Sequence, residues 1–157
     1  MNSAVLERPA SKPTAAFLAN PRKLLIGGEW VNAASGKTFA VYNPATGREM
    51  AQVAEADKED VNRAVAAARR AFDSGPWSKM TGSQRGKLLW KLADLLEARG
   101  DEFAELESLD NGKPFAVARV ADVPLSVDMF RYMGGWATKI TGTTIPWSAP
   151  NEFLSYT

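Results

Sequence analysis

The side chains that could do acid–base or ligand chemistry in this sequence are carboxylates, lysines and tyrosines. The 157 residues include no cysteine and no histidine. The chain therefore cannot supply a cysteine nucleophile, a zinc–thiolate site or a Ser-His-Asp relay. One carboxylate has an unusual place, Asp110 in LESLDNGKP at residues 106–114, where Gly112 and Pro114 are typical of a helix end. A carboxylate in the last turn is repelled by the helix dipole by about 0.3–1 kcal/mol.

Two interpretations of Asp110 remain open from the residues alone. In the first, Asp110 is a turn residue that accepts hydrogen bonds from its own loop amides, helped by Lys113. In the second, its carboxylate is a hard oxygen ligand for a monovalent cation, or one half of a charge pair between elements. The sequence does not decide between them.

Other candidate motifs favour structural explanations. SGKT at residues 35–38 lacks the glycine that a phosphate-binding loop needs five residues before Gly36, and GSQRGK at 82–87 is one residue short. No Gly-x-Gly-x-x-Gly fingerprint of a dinucleotide site occurs. The leucines of the second long helix are expected to be core. The paired acids are expected to be solvated helix faces: Asp57, Glu59, Asp60, Glu105 and Glu107.

The elements that must position Asp110 are short strands followed by helices. Residues 1–22, with Pro9, Pro13 and Pro21, are predicted to be a loose N-terminal arm. Two hairpins follow, one in LLIGGEWV at 24–31 and one in TFAVYNPATGREMAQVAEAD at 38–57.

Helical periodicity dominates from residue 57 to about residue 139. A last pattern, from 115 to 139, is interrupted by Pro124. The predicted helix starts are Asp57, Thr81 or Ser83, Asp101 and Asp122. NEFLSYT at 151–157 is predicted to be a strand from Glu152 with no partner strand in the chain, a template for association.

The bulk composition is that of a globular protein with one domain. Hydrophobic residues make up 45% and charged residues 24%, and the net charge of +1 gives no reason to expect nucleic acid or an anionic membrane as partner. No apolar run approaches the roughly 18 residues of a spanning helix. The first residues lack a basic n-region followed by an apolar h-region, so the cytoplasm is the expected compartment.

Several stretches, in this order and spacing, resemble the N-terminal third of aldehyde dehydrogenases. They are NPATGREMAQVAEADKEDVNRAVAAARRAF, RGKLLWKLADLLEARGDEFAELESLDNGKP, FRYMGGWATKITGTTIP and NEFLSYT. The resemblance runs from about residue 24 to residue 157, and its style is that of the NAD-preferring group for aliphatic and aromatic aldehydes.

The resemblance implies an α/β fold in which this chain is the N-terminal part. Short β-hairpins and a helical layer would flank a Rossmann-like cofactor domain that lies mostly downstream. The implied division is an arm at 1–22, the N-terminal part of the cofactor-binding domain at 23–151, and the start of a truncated oligomerisation hairpin at 152–157. The complete enzyme is then expected to be a homodimer or homotetramer.

The implied activity is NAD(P)-dependent oxidation of an aldehyde to a carboxylic acid through a cysteine thiohemiacetal. The cysteine, glutamate and asparagine of that chemistry, and the residues that bind NAD or NADP, are expected downstream. The partners of this segment are then the aldehyde substrate and the rest of the same enzyme. The segment alone is expected to be inactive. The alternative is a free-standing helical interaction module that has lost catalysis.

The resemblance also implies roles for five residues of this chain. A structural monovalent cation would lie between Asp110 and backbone oxygens of Val41 and Tyr42. Ala121 and Leu125 would line the substrate entrance.

Overall fold

The computed structural model describes residues 10–146 and 154–156 of the chain. Between residues 24 and 136 the strands precede the helices, as predicted. In chain order the elements are α1 (Lys12–Leu18), β1 (Leu24–Ile26), β2 (Glu29–Val31), β3 (Thr38–Tyr42), β4 (Glu49–Ala54), α2 (Lys58–Ser74), α3 (Pro76–Lys79), α4 (Gly82–Ala98), α5 (Gly100–Asn111), α6 (Phe115–Val117), a π-helical segment (Ala118–Asp122), α7 (Val123–Trp136), β5 (Thr144–Pro146) and β6 (Leu154–Tyr156).

The strands form antiparallel pairs, and both predicted hairpins are confirmed. β1 pairs with β2 across a turn in which Gly27 and Gly28 have φ of 63° and 90°, values that favour glycine. β3 pairs with β4, with an irregularity in register between Val41 and Tyr42.

The predicted lack of a partner for the last strand is wrong. β6 pairs with β5, with Thr144 opposite Tyr156 and Pro146 opposite Leu154. A three-residue strand that ends in proline has no alternation to detect, so the pattern did not show β5. The predicted start at Glu152 lies outside the described residues.

The arm predicted at residues 1–22 is not loose where the structure describes it. Pro13 lies in the first turn of α1, where a missing N–H costs nothing. After α1, the backbone N–H of Arg22 donates to the Gln52 carbonyl at 2.8 Å. The backbone carbonyl of Arg22 accepts from the Ala54 N–H at 2.8 Å. These bonds add one residue of the arm to the free edge of β4.

Three of the predicted helix starts are confirmed and one is wrong. Asp57 caps α2 and Thr81 caps α4, each in a reciprocal capping box. Asp101 lies inside the first turn of α5, and its carboxylate pairs with Arg119. α7 begins at Val123, directly after Asp122 as predicted, but Asp122 has helical φ and ψ of −65° and −45° and its side chain makes no cap. The π segment leads directly into α7, so Pro124 falls in a first turn and the helical path continues.

The hydrophobic core is made of small side chains between α4, α5, the π segment and α7. Its buried members are Ala93, Ala104, Ala118, Val123 and Val127. α4 and α7 approach closely because both carry glycine at the contact. A Cβ built on Gly86 would lie 2.6 Å from the Gly134 carbonyl oxygen.

The prediction that the leucines of α4 form the core is wrong for most of them. Leu88, Leu92 and Leu95 are 43%, 44% and 56% exposed, whereas Leu96 packs against the core. The helical period indicates which residues share a face, but the face of α4 that is buried carries Ala93, and Gly86 meets Gly134 of α7. In the described part of the chain, no helix is both long and apolar enough to cross a membrane.

Candidate functional site

A cavity of about 300 Å³ lies between α1, the β3–β4 hairpin and α5. Its charged lining residues are Arg22, Glu107 and Asp110. The remainder of the lining is apolar: Phe17, Leu18, Val41, Met50, Ala51, Val53, Phe103 and Leu106. The Arg22 guanidinium lies 4.7 Å from the centre of the Phe17 ring, so it makes a cation–π contact with α1 at the side of the cavity.

Asp110 lies in the last turn of α5 with its side chain exposed. The helix ends at Gly112, whose φ is 80° and whose N–H donates to the Ser108 carbonyl at 3.1 Å. Among the residues that the structure describes, none donates to or pairs with the Asp110 carboxylate. The interpretation of Asp110 as a turn residue is therefore wrong. Asn111 has that role, since its Oδ1 accepts from the Lys113 N–H at 2.7 Å.

Lys113 was expected to help Asp110 but points to other carboxylates. Its Nζ lies 2.5 Å from Asp122 Oδ2 and 4.0 Å from Glu107 Oε1. The hydrogen bond to Asp122 is the main cause that raises the pKa of Lys113 above its ordinary value, against an opposing effect of desolvation. The ammonium group of Lys113, which follows α5, is therefore paired with Asp122 of the π segment.

Of the predicted cation ligands, the structure brings Val41 and Asp110 to the same cavity. Tyr42, the next residue of β3, is 58% exposed and does not line the cavity. Carboxylate and carbonyl oxygens are the donors that hard cations prefer, so Val41 and Asp110 fit the chemistry of such an ion. Among the described residues there is no cluster of three or more His, Cys, Asp or Glu that could hold a metal ion.

Glu105 was expected on a solvated helix face, and this expectation is wrong. Its side chain is buried, with 6% exposed. Its carboxylate accepts from the Ser11 N–H at 2.9 Å, from the Ser11 hydroxyl at 2.5 Å, and from the hydroxyl of the fully buried Thr14. Glu105 therefore fixes α1 onto α5. The partners lie 91 to 94 residues away, so no local pattern could have revealed them.

Asp60 was also expected to be solvated and is only 1% exposed. Both of its carboxylate oxygens accept from the Ala34 N–H at 3.1 Å, and Oδ2 accepts from the Asp57 N–H at 3.3 Å. Asp60 thus ties the β2–β3 connection to the start of α2. Its place three residues after the cap Asp57 is the capping-box signal that could have identified the bond to the Asp57 N–H, whereas Ala34 lies 26 residues away and gives no local signal.

The two predicted entrance residues lie away from the cavity. Ala121 is half-buried in the π segment, and Leu125 is 66% exposed in the first turn of α7. Leu125 belongs to a run of exposed apolar side chains on α6, the π segment and α7. They are Val117, Val120, Leu125, Met129, Tyr132, Met133 and Trp136.

The sheets of the described residues are two-stranded and antiparallel. Dinucleotides bind in open α/β sheets at the carboxyl ends of parallel strands, beside a glycine-rich turn.

Comparison with known sequences gives matches over nearly the whole chain. The profile described as "Aldehyde dehydrogenase family" matches residues 30–157. "Benzaldehyde dehydrogenase, mitochondrial" of Antirrhinum majus is 49% identical over 150 residues, which are 96% of this chain and 28% of that protein. "Aldehyde dehydrogenase, cytosolic 1" of Macroscelides proboscideus is 52% identical over 136 residues, 86% of this chain and 27% of that protein.

Solved structures match the same part of the fold. The NAD+ complex of aldehyde dehydrogenase from Bacillus cereus superposes with a TM-score of 0.89 at 49% identity, covering 94% of this chain and 30% of that one. An NAD-dependent aldehyde dehydrogenase from Sinorhizobium meliloti gives 0.77 at 40% identity, covering 87% and 27%. The matched part is N-terminal, and the α/β fold class predicted from the sequence is confirmed. The chain spans about 30% of the length of its relatives.

Proposed function

Because this chain belongs to the aldehyde dehydrogenase family, we propose that it supplies the N-terminal part of an NAD(P)-dependent enzyme that oxidises an aldehyde to a carboxylic acid. The observation that carries the proposal is the TM-score of 0.89, at 49% identity, to an NAD+-bound aldehyde dehydrogenase. In this function the hairpins and helices of the chain pack beside the cofactor domain.

The residues of this chain position and enclose the reaction, and they do not perform it. The chain contains no cysteine, so the nucleophile of a thiohemiacetal mechanism comes from the remainder of the enzyme, together with its glutamate and asparagine. That remainder would hold NAD or NADP, which would supply the hydride acceptor. The 157 residues alone are accordingly inactive.

In the proposed enzyme, Ala121 and Leu125 line the path by which the aldehyde enters. The support for this role is the apolar run that includes Leu125, which is 66% exposed in this segment. An apolar side chain at an entrance selects substrates by shape, an effect worth about 1–3 kcal/mol per methylene.

The cavity beside α5 is the proposed site of a structural sodium or potassium ion. Asp110 supplies a carboxylate and Val41 and Tyr42 supply backbone oxygens. Support comes from Val41 and Asp110 lining one cavity, and from the exposed position of Asp110 at the negative end of a helix. Arg22 lines the same cavity, so its guanidinium is the competing source of positive charge.

The proposed enzyme works in the cytoplasm as a homodimer or homotetramer. The compartment is supported by relatives named cytosolic, at 52% identity, although others are named mitochondrial. The β5–β6 ribbon is the element proposed for assembly, since two short strands alone leave edges for other strands to pair.

A chimeric enzyme tests the proposal. Residues 1–157 of this chain replace the corresponding N-terminal part of the Bacillus cereus aldehyde dehydrogenase. We expect the purified chimera to produce NADH from NAD+ and the aldehydes that its parent oxidises. The controls are the parent without its N-terminal part and the 157-residue chain alone, both expected to be inactive.

The alternative function, a helical interaction module without catalysis, predicts a different result. A chimera that folds and binds NAD+ but produces no NADH would contradict the proposed function and favour the module. NADH production by the 157-residue chain alone would contradict the assignment of the chemistry to the remainder of the enzyme.

A further inference from the structure

The π segment interrupts a path that would otherwise be one continuous α-helix from Phe115 to Trp136. A π turn accommodates one extra residue, and each residue of an α-helix turns the chain by about 100°. The segment therefore sets the rotation of α7 relative to α6. π turns inside α-helices are also frequent at functional sites.

Two ion pairs hold the π segment from the side of α5. At its end, Asp122 pairs with Lys113, in the loop after α5, at 2.5 Å. Near its start, Arg119 pairs with Asp101 in the first turn of α5. The Arg119 guanidinium carbon also lies 3.5 Å from the place of a Cβ on Gly100, so it crosses α5 closely.

The rotation of α7 decides which residues face inward. Val123 and Val127 are 7% and 2% exposed and contribute to the core, whereas Leu125 and Met129 are 66% and 56% exposed. Ala121 is inside the π segment itself, next to the paired Asp122. A change in the backbone of the π segment would thus alter the position of Ala121 relative to Leu125, although neither residue is substituted.

We propose that Lys113 is a positioning residue for substrate choice, because its ion pair with Asp122 fixes the π segment and so the relative placement of Ala121 and Leu125. This inference rests on the proposed function, in which those two residues line the aldehyde entrance. Lys113 does not touch the substrate. It acts through the backbone of the π segment.

The test is made in the chimeric enzyme with Lys113→Met, which keeps an apolar stem of similar length and removes the charge. KM and kcat are measured for acetaldehyde and for benzaldehyde. We expect the ratio of the two KM values to change by roughly fivefold, with kcat within about twofold, because an entrance contributes to binding more than to chemistry. Lys113→Arg keeps the charge and should retain most of the parental ratio.

Asp122→Asn provides a second variant, because it keeps the shape of the side chain and removes only the charge. It should change the KM ratio in the same direction as Lys113→Met. Lys91→Met is the matched control, an exposed lysine of α4 that lies outside both ion pairs, and it should leave the ratio unchanged. A melting curve for each variant separates loss of stability from loss of selectivity.

Leu125→Ala distinguishes failure of this inference from failure of the entrance assignment. If Leu125→Ala changes the KM ratio and neither charge variant does, the inference is overturned and the entrance stands. If none of the three changes the ratio in an active chimera, the entrance assignment fails and the inference with it. Equal changes for both aldehydes with a lowered melting temperature would make Lys113 merely structural, which also overturns the inference.

Discussion

Two carboxylates on α5, five residues apart, have opposite environments. Glu105 is 6% exposed and accepts hydrogen bonds from Ser11 and Thr14, whereas Asp110 is exposed and without a partner among the described residues. Five residues turn a helix by about 140° relative to the starting position, so the two side chains leave α5 in different directions. Glu105 meets α1, and Asp110 lines the cavity.

The difference shows that helix position alone does not decide what a carboxylate does. Asp110 attracted attention because its place at a helix C-terminus is electrostatically unfavourable. Glu105 has no such local anomaly, yet its hydrogen bonds attach α1 to α5. A buried charge is tolerated when its hydrogen-bonding capacity is satisfied, and here α1 supplies the donors.

The largest expected effect is that of Glu105→Ala on the attachment of α1. Removal of the carboxylate leaves the Thr14 hydroxyl buried without its acceptor, and hydrogen bonds to charged groups contribute about 1.5–3 kcal/mol. Amide hydrogen exchange in the chimeric enzyme measures local opening. We expect the amides of Ala15 and Ala19 to exchange roughly 30-fold faster, equivalent to about 2 kcal/mol.

Glu107→Ala is the control on the same helix, because the Glu107 side chain is 42% exposed and accepts its hydrogen bond from Asn111 of α5 itself. It should leave exchange in α1 unchanged. If the two variants loosen α1 equally, the contrast between buried and exposed carboxylates on α5 is wrong.

A smaller effect is expected of Thr14→Val, which keeps the shape of the side chain and removes only the hydroxyl. Loss of one hydrogen bond to Glu105 should weaken the attachment of α1 by about 1 kcal/mol. The double variant with Glu105→Ala should cost less than the sum of the single variants, since both remove the same contact. Additive effects on exchange would show that Thr14 stabilises α1 without Glu105.

What the sequence could predict was set by distance along the chain. The β1–β2 turn at Gly27 and the caps Asp57 and Thr81 depend on neighbours within a few residues, and all were predicted. α1 was not, because its attachment depends on Glu105, 94 residues from Ser11.

The candidate site divides in the same way. The unusual place of Asp110, a carboxylate in the last turn of a helix, depends on neighbouring residues and was predicted from the sequence. The enclosure of the cavity by Phe17 and Met50 requires α1, the β3–β4 hairpin and α5 to meet, which no local pattern specifies. The exposure of the α4 leucines likewise depends on which helix face meets α7, and the glycines at that contact decided it.

Asp110→Ala should have a smaller effect again in the absence of sodium and potassium. The carboxylate is exposed and sits at an unfavourable helix end, so we expect a change in stability of less than about 0.5 kcal/mol. The melting temperature of the chimera is measured in choline chloride and in potassium chloride at equal ionic strength. If potassium stabilises the parent and not the variant, the cation proposal is supported.

If potassium raises the melting temperature of the parent and of Asp110→Ala equally, the cation proposal is contradicted. Arg22 would then be the remaining source of positive charge in the cavity beside Asp110. A large loss of stability in choline chloride alone would contradict the exposed position of Asp110. Either result would contradict the difference between the buried, hydrogen-bonded Glu105 and the exposed Asp110.

The smallest expected effect concerns pH and the ion pair that follows α5. The hydrogen bond to Asp122 raises the pKa of Lys113, and a base whose folded pKa is raised stabilises the protein while it is protonated. The contribution is complete below the ordinary lysine pKa of about 10.4 and is lost as pH rises through the higher folded value. The melting temperature of the chimera should therefore exceed that of Lys113→Met by a constant margin from pH 7 to about pH 9.5, and the margin should shrink above about pH 10.5.

The side chains of Lys113 and Asp122 are both about one-third exposed, so water screens the ion pair and the margin in melting temperature is small. The absence of a margin near neutral pH would show that the charge of Lys113 adds no stability, because methionine keeps the apolar stem. A constant margin at strongly alkaline pH would exclude the ion pair as its source.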